Sequence, residues 1–135
     1  MTHRGTQSAE IKDCINVCRE CADTCLETVN HCLGLGNKHA ERKYIVLLQT
    51  CAEICETAAR TMLLGSEHHA EICSTCAVIC EACAEDCDTF QDDEDMKACA
   101  EVCRRCADSC REMASHSPSR QKDYRKSSPT QSASV

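Results

Sequence analysis

The sequence predicts an all-α protein, an antiparallel up-down-up-down four-helix bundle with a cysteine-lined core, and three observations predict it. The chain carries 16 cysteines in 135 residues, and most of them recur at steps of three and four. That spacing places their thiols on one stripe of each helix, where a bundle normally carries leucine. Phe90, Tyr44 and Tyr124 are the only aromatics and tryptophan is absent, so cysteine must fill much of the interior. A reduced thiol can do so, because it packs as a small hydrophobe. Finally, turn signals at 34–37, 65 and 91–95 divide the periodic region into four stretches, and short turns force neighbouring helices to run antiparallel.

Taken in order, residues 1–7 read as a flexible N-terminal lead, and residues 8–115 as the bundle domain. The first helix is expected over about 8–33, with Ser8 as its N-cap and Ile11, Cys14, Cys18, Cys21, Cys25, Thr28 and Cys32 in register. Gly-Leu-Gly-Asn at 34–37 stops it. The second helix, about 38–64, keeps the register through Tyr44, Leu48, Cys51, Cys55, Ala58 and Met62, and only two of these positions are thiols. Gly65 ends it and Ser66 caps the third, about 67–90, which carries His69, Cys73, Cys76, Cys80, Cys83, Cys87 and Phe90 on one face. The acidic link at 91–96 starts the fourth helix, where carboxylates suit the dipole. Met96, Cys99, Cys103, Cys106, Cys110 and Met113 then face inward as far as residue 115. Residues 116–135 read as a disordered polar and basic tail.

Charge and composition narrow the function. A net charge of −7 argues against nucleic acid as a partner, and the apolar runs fall far short of a membrane span. The N-terminal residues show neither an apolar signal core nor a twin-arginine pair, so the expected localisation is cytoplasmic. Thiols stay reduced there, and cysteines one helical turn apart have poor geometry for a disulfide. The expectation is therefore free sulfur, in a quantity that suits soft metal ions.

Neighbouring thiols on a stripe have Cβ atoms about 5–6 Å apart, and a near-linear S–M–S unit with bonds of about 2.3 Å spans a similar gap. Copper(I) is the physiological ion that soft thiolates select and that accepts two of them readily. Charge balance points the same way. Sixteen buried thiolates need counter-charge, which about one copper(I) per cysteine supplies in full and about four zinc(II) ions supply only by half. A protein of capacity follows, with bridging thiolates and no catalytic site. A zinc- or redox-responsive thiol-rich interaction protein is the alternative. No phosphate loop, serine triad or inward carboxylate pair suggests an enzyme.

The two ends of the bundle read differently. Leu33, Tyr44, Leu48, Phe90 and Met96 are expected to form an apolar plug at one end. Met62, His69 and Met113, beside Cys14, are expected to form a mouth at the other, where thioether and imidazole could pass copper(I) inward. His31, His39 and His116 read as surface histidines, with His116 the one placed to assist the mouth.

The stripes CINVCRECADTC, CAEIC, CSTCAVICEACAEDC and CAEVCRRCADSC resemble those of the bacterial copper storage proteins, cysteine-rich four-helix bundles, over about residues 8–115. The resemblance is to the cytosolic branch of that family. It implies copper(I) storage or detoxification, a homotetramer of bundles, and copper ions as partners, with a copper chaperone as candidate donor. It also implies that all 16 cysteines are ligands: Cys14, Cys18, Cys21, Cys25, Cys32, Cys51, Cys55, Cys73, Cys76, Cys80, Cys83, Cys87, Cys99, Cys103, Cys106 and Cys110. The second helix departs from the all-cysteine pattern, which leaves Cys32 with the weakest claim.

Overall fold

A computed structural model describes residues 2–115. The tail expected over 116–135, with His116 in it, lies outside the described residues. Four α-helices follow one another: α1 (Thr2–Leu35), α2 (Arg42–Leu63), α3 (His69–Asp88) and α4 (Glu94–Ser115), with a short 3-10 helix (Asn37–Ala40) between the first two. Packing runs α1 to α2, α2 to α3, α3 to α4 and α4 back to α1, which closes the expected four-helix ring.

The inward register matches the cysteine periodicity. All 16 cysteines are buried, and Tyr44, Leu48, Ala58, Met62, Phe90, Met96, Met113 and Thr28 are buried on the same stripes. Alanines beside the cysteines, among them Ala22, Ala52, Ala77, Ala84, Ala100 and Ala107, are buried too. Such small side chains let helix backbones approach closely, so sulfur can meet sulfur across the axis. Thr28 enters this core because its hydroxyl donates to the Thr24 carbonyl at 2.7 Å and so carries no unmet donor inward.

Several boundaries differ from expectation. Helix α1 begins at Thr2, before Ser8; residues 2–7 contain no proline to stop it, so Ser8 lies within the helix and is not its cap. Residues 38–41 are not part of α2. Gly36 at φ 73° and Asn37 at φ 53° turn the chain through the left-handed region that glycine and asparagine tolerate, and the 3-10 turn follows. Leu33 is 57 % exposed, contrary to its expected place in the plug, because it stands one residue beyond the inward Cys32 and is rotated about 100° off that stripe. The Ser66 hydroxyl accepts from the His68 amide at 3.1 Å, one turn before α3.

Asp93 starts α4. Its Oδ1 accepts from the Asp95 and Met96 amides at 3.0 and 3.2 Å, satisfying two donors that a helix start leaves open. Replacing Asp93 with alanine should therefore cost about 1–2 kcal/mol of stability, whereas asparagine, an equally good cap, should restore most of it; urea midpoints of the two variants check this. On the surface, α4 is tied to α3 by Arg104 with Asp88 and Arg111 with Glu81, and to α1 by Arg105 with Glu20. These pairs are solvent-exposed, so they guide register more than they stabilise.

Candidate metal centre

The sulfur column is assembled mainly between helices. Between α1 and α4, Cys18 meets Cys110 at 3.6 Å and Cys106 at 3.7 Å, Cys21 meets Cys103 at 3.7 Å, and Cys25 meets Cys103 and Cys99 at 3.9 and 4.0 Å. Between α2 and α3, Cys55 meets Cys80 at 3.5 Å and Cys76 at 3.6 Å, while Cys51 meets Cys80 at 3.6 Å. Cys55 also reaches Cys106 diagonally, at 3.8 Å. A contact along one helix does occur, between Cys76 and Cys80 at 3.8 Å. The spacing expected along each stripe is thus secondary to a pairing across the bundle, which periodicity within one helix cannot reveal.

These contacts build groups of thiols whose sulfurs all lie within 4.8 Å of one another. From the Met113 end they run Cys14, Cys73, Cys110; then Cys18, Cys76, Cys106, Cys110; then Cys21, Cys55, Cys80, Cys106; then Cys21, Cys25, Cys51, Cys103; and then Cys25, Cys83, Cys99, Cys103. Each group shares at least one thiol with the next: Cys110, Cys106, Cys21, and finally Cys25 with Cys103. A soft ion could move along such a series without ever being released from sulfur, since one ligand of the next group is already bound.

Proton placement suits exchange for metal. Hydrogen bonds from Cys103, Cys21, Cys25 and Cys55 hold Cys51 below the ordinary thiol value. The corresponding bonds to Cys21, Cys25, Cys51 and Cys83, with burial, push Cys103 above it. Neighbouring thiols therefore share protons, and ligation at one displaces them from both. Cys32 stands apart: burial first, then the Asp93 charge and Cys99, push it up to about 11. Its sulfur donates to the Met96 thioether at 3.6 Å. Met96, read from sequence as an apolar plug residue, is a sulfur partner as well.

At the expected mouth, Met62 and Met113 are both buried at 4 % exposure, at the same end as Cys14 and Cys73. His69 is half-buried, and its Nδ1 lies 2.9 Å from the Ser66 carbonyl. A carbonyl only accepts, so Nδ1 carries the proton and Nε2 keeps the lone pair a metal needs. At the opposite end Tyr44 and Phe90 pack edge to face with centroids 4.9 Å apart, and Leu48 is buried in the same core. The two histidines read as surface residues are drawn in at this end: His31 and His39 both turn towards Asp93. Nothing in their spacing announces this, because the positive-φ turn at Gly36 and Asn37 decides it.

A family model described as copper storage protein matches residues 7–115. Among solved structures, a protein from Nitrosospira multiformis is similar with a TM-score of 0.75 and 41 % identity, covering 80 % of this chain and 97 % of that one. The copper(I)-bound copper storage protein BsCsp3 is similar with a TM-score of 0.74 and 37 % identity, over 78 % of this chain and 98 % of that one. The apo form of copper storage protein 3 from Bacillus subtilis gives 0.70 and 38 %, over 76 % and 97 %. Among curated protein sequences, none matches the chain.

Proposed function

This chain belongs to the copper storage protein family, and we propose that it stores many copper(I) ions as thiolate complexes along its sulfur column. The observation that carries the proposal is the sharing of thiols between successive groups. Zinc(II) prefers a closed set of four ligands. Zinc in each four-thiol group would use Cys106, Cys21, Cys25 and Cys103 twice and leave the interior negatively charged. Copper(I), with its lower coordination number, fits shared thiolates and can approach neutrality at about one ion per thiol.

An anaerobic titration against a competing copper(I) chelator tests the proposal. Uptake should approach the number of cysteines and release about one proton per ion bound, read on a pH-stat. Saturation after a few ions, or zinc that excess copper(I) fails to displace, would favour the zinc- or redox-responsive alternative.

The 16 cysteines are the proposed ligands, and Met62, His69 and Met113 the proposed mouth. The burial of Met62 and Met113 at the end that holds Cys14 and Cys73, and the lone pair left on His69 Nε2 when Nδ1 donates to Ser66, support that role. Replacing Met62, His69 and Met113 together by leucine, glutamine and leucine should slow copper loading about tenfold or more while final capacity stays nearly intact. Stopped-flow absorbance at the thiolate-to-copper band measures the rate, and an unchanged rate would place the mouth elsewhere.

A reducing, cytoplasmic location is proposed because sixteen free thiols packed this closely would be exposed to oxidation in a disulfide-forming compartment. Among the described residues, no helix is long and apolar enough to cross a membrane. A homotetramer and delivery by a copper chaperone are proposed with it. Exposed apolar side chains such as Leu64 and Val78 offer surface for such contacts. The role is storage, and no catalytic step is assigned.

A further inference from the structure

The end opposite the proposed mouth holds a set of donors of a different chemical kind. His31 Nε2 and His39 Nε2 lie 2.7 and 3.0 Å from the same atom, Oδ2 of Asp93. The three residues come from α1, the 3-10 turn and the start of α4, so they converge only in the folded chain. Their side chains are 25 %, 23 % and 15 % exposed, and they line a cleft of about 510 Å³ with Phe90 and Glu94.

Each donor is oriented by a second contact. The His31 Nδ1 faces Asp95 Oδ2 at 3.0 Å. The His39 ring lies against Phe90 with centroids 4.1 Å apart. Asp93 is held by the amides that its Oδ1 caps. An imidazole whose remote nitrogen donates to a carboxylate is the arrangement that fixes tautomer and direction in zinc sites, and such a partner raises ligand basicity.

We propose that His31, His39 and Asp93 form a separate site for one zinc(II) ion, with Asp95 as the positioning carboxylate behind His31. Two neutral imidazoles and one carboxylate make a borderline-to-hard set that selects zinc(II) over copper(I). Three protein ligands leave the fourth tetrahedral position to water from the cleft. The ion displaces the protons that His31 Nε2 and His39 Nε2 now donate to Asp93 Oδ2: that of His31 leaves to solvent, because its Nδ1 already donates to Asp95, and that of His39 moves to its Nδ1. The ion then ties α1, the 3-10 turn and α4 together at the closed end. The site does not depend on what the sulfur column stores.

The competing thiols dictate the experiment. Full-length protein is first saturated anaerobically with copper(I), so that sulfur is occupied, then given excess zinc(II), desalted and assayed for both metals. One zinc per chain should remain on the native sequence, and none on Asp93→Asn, which keeps the helix cap and hence the fold. His39→Gln should also lose it, and Asp95→Asn should weaken zinc binding about 10–100-fold. Cobalt(II) in place of zinc should give weak ligand-field bands without a thiolate charge-transfer band. No retained zinc, equal retention by Asp93→Asn and His39→Gln, or a cobalt–thiolate band would each overturn the site. Failure of the column to fill with copper(I) would appear in the first step, and the difference in cobalt ligand-field bands between the copper-free native protein and copper-free Asp93→Asn, in which the thiol contribution cancels, would then decide the zinc site, equal spectra overturning it.

Discussion

Serine at both Cys103 and Cys106 should remove about four copper(I) ions from the stored complement, twice the loss expected if each thiol served one ion. The reason is position. Of the four-thiol groups, Cys103 belongs to the two nearer the Phe90 end and Cys106 to the two nearer the Met113 end, so the pair touches every four-thiol group described. Serine offers a hard oxygen that copper(I) does not select. Cys32→Ser should remove at most about one ion, because the sulfur that Cys32 bonds is the Met96 thioether and it stands in none of the thiol groups described above. Copper-to-protein ratios after gel filtration from a chelator competition compare the variants, with helical circular dichroism confirming the fold. A loss of only two ions from the double variant would show that the shared thiols do not bridge.

Copper loading should raise the thermal midpoint by more than about 15 °C, since each site held at about a thousandfold excess over its dissociation constant contributes about 4 kcal/mol. The effect should be large because the metal-free interior is weak in apolar volume. Over most of its length it is cysteine packed beside alanine, with Tyr44, Leu48, Phe90 and Met96 gathered at one end. Burial of thiols and methyl groups yields less than burial of leucine. Thermal scans with and without bound copper, and again after chelation, measure the difference. A shift below about 5 °C would mean that the ions bind outside the folded column.

Much of this was legible in the sequence because a three-four repeat fixes which face of a helix is buried. Every stripe position from Cys14 to Cys32, Tyr44 to Met62, Cys73 to Phe90 and Met96 to Met113 is buried. Leu33 failed by a single step of that repeat. Periodicity does not fix how far one helix is displaced along its neighbour, and that displacement decides that Cys55 reaches Cys106 and that Cys21 is shared. Nor could it place His31 and His39. Both stand off the stripes, and their convergence depends on backbone dihedrals at Gly36 and Asn37 that a composition of polar residues does not encode. Asp93 was legible only as one charge in an acidic link. Its two oxygens do different things, one closing a helix and the other facing two imidazoles.

The sharing of sulfur between neighbouring groups has a consequence for time as well as capacity. A row of sites that hand ions to one another, if filled only through the proposed mouth, is a stack: the first ion in travels deepest and the last remains nearest the exit. Copper that a cell deposited most recently would be withdrawn first, while the oldest ions, beside Cys99 and Cys83, would leave only when the rest had gone. Pulse loading with one copper isotope followed by another, then partial withdrawal by a chelator, should return the second isotope ahead of the first.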